Sequence, residues 1–243
     1  MKKLIFIGIL LLLSACNLPA TADSSSTQAP LTTPETADTT QAVLPTETIA
    51  PTATPEPFPQ FFTDQFDSES PYWEFMQAGG ISAVTPTFSN GTLRLDIPAT
   101  DTWMIGIHSA NSYENVFVRA TTSVSPTGSA GLICRYSEDG WYEFNVATDG
   151  AYSLLLGQWL SDGVVKYIPV INDVSNKLTE LTNTEIGMFC QDNFIQLYVN
   201  GTMINRAEVT NYGLTEGKIG ISAASFTEAP NSVLFDQVQV SDQ

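Results

Sequence analysis

Apolar and polar side chains alternate most clearly in the middle of the chain. From Gly131 to Gly157 it reads GLICRYSEDGWYEFNVATDGAYSLLLG. The pattern predicts three antiparallel strands joined by two loops, Glu138-Asp139-Gly140 and Thr148-Asp149-Gly150. Each loop ends in glycine, which takes the left-handed backbone that closes a three-residue hairpin. With loops of that length Ser137 faces Trp141, Tyr136 faces Tyr142, Arg135 faces Glu143 and Cys134 faces Phe144. In the second hairpin Val146 faces Tyr152, Phe144 faces Leu154 and Tyr142 faces Leu156. Opposed residues share a face. One face then collects Leu132, Cys134, Tyr136, Tyr142, Phe144, Val146, Tyr152, Leu154 and Leu156. The other carries Arg135, Trp141, Glu143, Asn145 and Ser153, with Ile133 and Leu155 as apolar exceptions.

The same period-two pattern recurs on both sides of this segment, and no convincing 3.6-residue period appears from Phe58 onward. Strands are expected at Phe61–Phe66, Trp73–Phe75, Leu93–Ile97, Trp103–His108 and Val116–Val124. Ser161-Asp162-Gly163 marks a third glycine-ended loop. Asn200-Gly201 is a strong two-residue hairpin signal between Ile195–Val199 and Thr202–Ile204. Lys218–Ala223 and Val233–Val240 close the series. About a dozen strands in residues 58–243 predict an all-β domain of two stacked antiparallel sheets.

The first 57 residues differ in kind. Lys2 and Lys3 precede an apolar run, Leu4–Leu13, that is too short for a comfortable membrane span and ends in Leu13-Ser14-Ala15-Cys16. This is an export signal, residues 1–16, and its end resembles the bacterial lipobox. That resemblance implies cleavage before Cys16 and acylation of its thiol. The lipid bilayer is then a partner through Cys16 alone, and the chain sits on the outer face of the cell envelope. Residues 17–57 are mostly Thr, Pro, Ala, Ser and acids. They read as a disordered spacer, which at ~3.1 Å per residue could reach on the order of 100 Å.

Nine Lys and Arg stand against 26 Asp and Glu, a formal net charge of −17. Without a basic stripe, nucleic acid is not an expected partner. Two cysteines remain beside Cys16. The pattern puts Cys134 inward and turns Cys190 away from its core neighbours, so a disulfide and two free thiols both stay open. One histidine and two cysteines do not supply the clustered ligands of a metal site, and no cofactor is expected. His108 lacks a G-x-S-x-G elbow and reads as a half-buried strand-end residue.

The candidate chemistry lies on the polar face of the central strands. An aromatic ring stacks on the C–H face of a sugar, while amides, carboxylates and guanidinium groups bond its hydroxyls. Arg135, Trp141, Glu143 and Asn145 supply such groups, with Trp103 and Trp159 as further candidates, and a glycan is the partner they suit. Glycosidases typically need two carboxyl groups, and an arginine opposite Glu143 suits an ion pair better than a general acid.

The strings GLICRYSEDGWYEFNV, DGAYSLLL, FIQLYVNGTMI and GKIGISA with VLFDQVQV resemble the concanavalin A-like lectin and glucanase sandwich over about Phe61–Val240. Within it, the chain is most similar to 3-keto-disaccharide hydrolase and laminin G-like domains. The resemblance implies a jelly roll of two curved sheets with ligands on the concave face or rim loops. The E-x-D-x-E strand motif of the β-glucanases is absent, and no catalytic residue carries over. The expectations are a non-catalytic glycan-binding module first, a glycoside hydrolase second, and a protein-binding or structural envelope module third.

Overall fold

The computed structural model describes residues 57–243. Cys16, the export signal and the spacer up to residue 56 lie outside the described residues. The elements in chain order are β1 (Phe62–Asp64), β2 (Trp73–Gly79), β3 (Thr87–Ser89), β4 (Thr92–Ile97), β5 (Thr102–Tyr113), β6 (Val116–Ser125), β7 (Ser129–Ser137) and β8 (Gly140–Ala147). They continue with β9 (Ala151–Ser161), β10 (Val164–Val174), β11 (Thr184–Gln191), β12 (Phe194–Val199), β13 (Thr202–Glu208), β14 (Gly217–Ser225) and β15 (Asn231–Ser241). Every sequence-predicted strand is present. The Asn200-Gly201 turn pairs Val199 with Thr202 across two residues at φ 46° and 70°, the left-handed pair that matches strand twist.

The first sheet has the order β13-β12-β11-β6-β15-β4-β3, with β1 added on β15. The second has the order β10-β9-β8-β7-β14-β5-β2. All pairings are antiparallel. Alternate residues of both sheets meet in one core, among them Leu93, Val118, Met188, Leu197 and Phe235 facing Leu132, Phe144, Leu154 and Ile221. Burying each such side chain stabilises by roughly 1.5–3 kcal/mol. The architecture is an all-β jelly-roll sandwich.

The β8–β9 hairpin has the expected register, Val146 opposite Tyr152 and Phe144 opposite Leu154. The β7–β8 hairpin does not. Its loop is two residues, with Ser137 opposite Gly140 and Cys134 opposite Tyr142. A bulge at Arg135-Tyr136 absorbs the difference, and Arg135 sits at φ 55°. A slip of two positions keeps Cys134 and Phe144 inward, but the bulge exchanges the faces of the next two residues. Arg135 therefore leaves the polar face where the sequence puts it, and Tyr136 joins that face.

Arg135 is 2% exposed. Its guanidinium donates to the carbonyls of Leu214 at 3.0 Å, Glu114 at 3.2 Å and Asp192 at 2.7 Å. Those carbonyls belong to the β13–β14 connection, the β5–β6 turn and the β11–β12 turn, so one side chain ties three loops at one end of the sandwich. Burial lowers the guanidinium pKa, opposed by Tyr142 and Asp192. Next to it, Cys134 of β7 is bonded to Cys190 of β11, with Cα atoms 6.7 Å apart. Cys190 points into the core, against expectation. The residue that turns outward is its neighbour Phe189, whose ring lies 5.4 Å from that of Phe117.

His108 is fully buried rather than half-buried, and neither ring nitrogen has a hydrogen-bond partner among the described residues. It sits against Phe58, Phe62, Tyr72 and Trp73 at ring distances of 5.1, 4.4, 5.7 and 5.1 Å. Burial lowers its pKa to about 4 and nearby Asp64 opposes this.

Replacing Arg135 by Ala removes three charge-assisted bonds and is expected to cost about 3–5 kcal/mol in equilibrium urea denaturation; a loss under about 1 kcal/mol contradicts the three-loop role. A second expectation concerns pH. The fold accepts neutral His108, whereas the unfolded chain protonates near pH 6.5. His108 stabilisation is complete above that value and falls by up to about 3 kcal/mol as pH drops toward 4. His108→Phe is expected to flatten stability between pH 6.5 and 4.5 relative to the parent, and identical slopes contradict this.

Candidate ligand groove on the curled sheet

The second sheet buries the middle of both its faces. On the face turned away from the main core, Ile105, Ile107, Ile133 and Trp141 are 0–1% exposed. The cover comes from the sheet itself. Trp103 of β5 and Tyr167 of β10 lie five strand positions apart, which on a flat sheet would be about 24 Å. Their ring centroids are 5.9 Å apart. The sheet has curled until its two flanks touch. The Gly79 N–H donates to the Gly163 carbonyl at 3.1 Å, joining the end of β2 to the β9–β10 turn.

The trough formed in this way is filled. Trp141 lies flat over Gly157, where any Cβ would collide with the indole. Tyr136, Trp159 and Tyr167 surround it at 5.4, 5.6 and 6.0 Å. Trp141 is 0% exposed. It is thus no open stacking platform, and the sequence-based expectation for it is corrected. The expected polar set Arg135, Trp141, Glu143 and Asn145 is not assembled either. Trp141, Glu143 and Asn145 share the face, and Arg135 lies on the other side of the sheet.

Glu143 is at the floor of the trough, with no solvent exposure. Its Oε2 accepts from the Trp141 Nε1–H at 2.9 Å and the Tyr167 hydroxyl at 2.8 Å. Its Oε1 accepts from the Asn145 Nδ2 at 2.6 Å and the Ser222 hydroxyl at 2.7 Å. All four donors are neutral side chains. Both oxygens are saturated, which is how a buried carboxylate without a cation is tolerated. Burial, then the adjacent Glu143 carboxylate, raise the Tyr167 pKa far above the tyrosine range, so that hydroxyl stays a donor. None of the partners of Glu143 is a carboxyl group. Among the described residues, no group of three or more His, Cys, Asp or Glu is placed to hold a metal ion.

Open space remains on either side of the Tyr167 bridge. One pocket of about 480 Å³ is lined by Met76, Gln77, Tyr136, Trp159, Leu160 and the β9–β10 turn. The other, also about 480 Å³, is lined by Ser129, Asn145, Ala147, Asp149, Ala151, Tyr152, Ser153, Asn172, Val174 and Phe226, among others. Ser129 and Asn145 line the second pocket, but the Ser129 hydroxyl and the Asn145 Oδ1 are themselves closed off from it and have no partner among the described residues. Phe226 is 38% exposed and packs edge-on against Trp103 at 5.3 Å. Sequence reading missed Tyr167, Ser222, Ser129 and Phe226. Alternation could place Ser129 and Ser222 on the outer face of their strands, but only the curl brings Tyr167 across the trough.

No family model matches the sequence, and no curated protein matches it. Solved structures do share its fold. A native glycosidic hydrolase superposes with a TM-score of 0.55 at 13% identity, over 78% of this chain and 99% of that one. A β-glucanase from Bacillus licheniformis gives 0.51 at 14% identity, over 75% and 98%. A protein of unknown function with a galectin-like fold from Bacillus subtilis gives 0.51 at 13%, over 74% and 94%. The chain has the concanavalin A-like β-sandwich fold. The likeness is to the whole sandwich and singles out neither the 3-keto-disaccharide hydrolase nor the laminin G-like domains.

If Trp141 is interior, Trp141→Ala is expected to cost about 3–5 kcal/mol of stability, as for other large core truncations. A cost below about 1 kcal/mol in chemical denaturation is the signature of an exposed platform and contradicts this placement.

Proposed function

We propose that this chain is a non-catalytic carbohydrate-binding module, held on the outer face of the cell envelope by an acylated Cys16 and a spacer over residues 17–57. The observation that carries the reading is the division of the trough. Its one floor carboxylate, Glu143, is saturated and closed off. Beside it lies an open pocket rich in hydroxyl, amide and carboxylate side chains with an aromatic, Phe226, at hand. Polar groups beside an aromatic suit a pyranose, which offers hydroxyls at its edge and C–H groups on its face. The glycosidic hydrolase and β-glucanase that share the fold make a sugar ligand a natural expectation for this groove.

Hydrolysis is the less favoured reading. Acid–base cleavage of a glycosidic bond needs two carboxyl groups flanking it, and the hydrogen bonds to Glu143 come from indole, phenol, amide and hydroxyl groups. The anchor supports the reading in a different way, since more than one acyl chain holds a protein stably at a bilayer while a long spacer lets the module search for ligand.

The test is a glycan array and polysaccharide pull-down with the full chain in detergent, run beside a reducing-sugar assay. Retention on at least one glycan is expected, without release of reducing ends. Phe226→Ala is expected to weaken retention about tenfold, the loss of one ring stacking contact. Reducing sugar that appears with the parent and disappears with Glu143→Gln contradicts the non-catalytic reading.

A further inference from the structure

We infer that the module takes a glycan by its chain end, with one terminal sugar in the pocket beside Phe226, and does not hold the interior of a polymer along the trough. The inference rests on the carbohydrate-binding reading and adds the substrate class. A groove that grips the interior of a chain needs an open path, with room for further units on both sides of the one it holds. Here the middle of that path is solid. Ile105, Ile107, Ile133 and Trp141 are 0–1% exposed. Tyr167 reaches Glu143 from β10 at 2.8 Å and meets Trp103 at 5.9 Å. The Gly79 N–H holds the Gly163 carbonyl at 3.1 Å. An interior packed this closely leaves no passage for a sugar chain.

The pocket beside Phe226 ends against this barrier. Phe226 packs on Trp103 at 5.3 Å and Trp103 packs on Tyr167, so three rings in series lead from the pocket to the closed middle. The pocket volume of about 480 Å³ lies low in the range of roughly 300–1,000 Å³ for small-ligand sites. That is room for a small ligand and not for a run of sugars. Its lining side chains that are open to solvent include Asp149 of the β8–β9 turn, Asn172 and Asp173 of β10, and part of Phe226. A terminal ring can lay its C–H face on Phe226 and offer its hydroxyls to these groups. The rest of the chain then leaves outward into solvent.

The pocket beside Trp159 does not continue the site. Its inner polar side chains are spent within the protein. The Trp159 Nε1–H donates to the Tyr136 hydroxyl at 3.1 Å. The Gln77 amide donates to the carbonyls of Gly79 and Ser82 at 3.1 and 3.0 Å and accepts from the Val84 N–H at 3.0 Å. Apart from the turn residues Ser161 and Asp162, that pocket offers a sugar mainly Met76, Tyr136, Trp159 and Leu160. The two openings therefore differ in chemistry as well as being separated.

The test takes the glycan best retained in the panel and titrates its oligosaccharides, from the disaccharide to the hexasaccharide, into the full chain in detergent. Affinity is expected to stay within about twofold across the series, because each added unit lies outside the pocket. The polymer and its acid hydrolysate then compete for binding at equal mass. Cutting the chains to about a tenth of their length is expected to lower the competing mass needed about tenfold, because the ligand counted is the chain end. Leu160→Ser alters the other pocket at a residue 65% exposed, and is expected to leave hexasaccharide affinity within about twofold. An affinity that climbs about tenfold or more with length, a polymer that competes as well as its hydrolysate, or a loss of about tenfold in Leu160→Ser overturns end recognition while carbohydrate binding stands. Failure to bind any sugar in the glycan panel overturns the reading beneath it.

Discussion

The structure depends on a sheet that curls far enough to bury the middle of its own outer face. Trp103 and Tyr167 belong to opposite flanks of the second sheet and touch. Between them a second, small interior forms around Trp141. A carboxylate lies at its base, and four neutral donors make that tolerable. The curl and the carboxylate depend on each other. Without Tyr167 crossing the trough, Glu143 would lose a donor and meet water. Without Glu143, the indole, phenol, amide and hydroxyl groups aimed at it would themselves be buried and unpaired, and each orphaned donor costs at least what a made hydrogen bond contributes.

The inner face is held differently. A bulge gives Arg135 a left-handed backbone and swings its guanidinium to the loop end of the sandwich, where it binds three carbonyls. The adjacent cysteine crosses to the other sheet. The two devices are neighbours in sequence and act on neighbouring structure: the disulfide joins sheet to sheet, and the arginine joins loop to loop. Tyr136, displaced to the outer face by the same bulge, becomes part of the wall around Trp141.

Much of this is legible in the sequence. Alternation names the strands, and the Gly-ended turns set the β8–β9 register residue by residue. The same reasoning fails one hairpin earlier. Glu138-Asp139-Gly140 suits a three-residue loop, but nothing local shows that Arg135 will take a positive φ, because the reason for it lies in Glu114, Asp192 and Leu214, far away in sequence. Ile133 and Leu155 stand out as apolar residues on a polar face. They are the one available sign that the face is covered. The reading of Trp141 as an exposed platform fails because alternation says which side a residue is on and is silent about whether that side is open. The Cys190 direction fails because its neighbour Phe189, although aromatic, packs on Phe117 across the outside of the first sheet and leaves the inward position to the cysteine.

A filled trough changes what the fold can do. Its open space lies toward the ends of the face, one pocket beside Trp159 and another beside Phe226. The most direct measurement is hydrogen exchange at the Trp141 indole, followed by proton–nitrogen NMR after transfer to heavy water. The Trp141 Nε1–H, bonded to Glu143 inside the curl, is expected to persist on the timescale of the slowest backbone amides. Exchange as fast as that of a solvent-exposed indole would contradict it and reopen the centre of the groove.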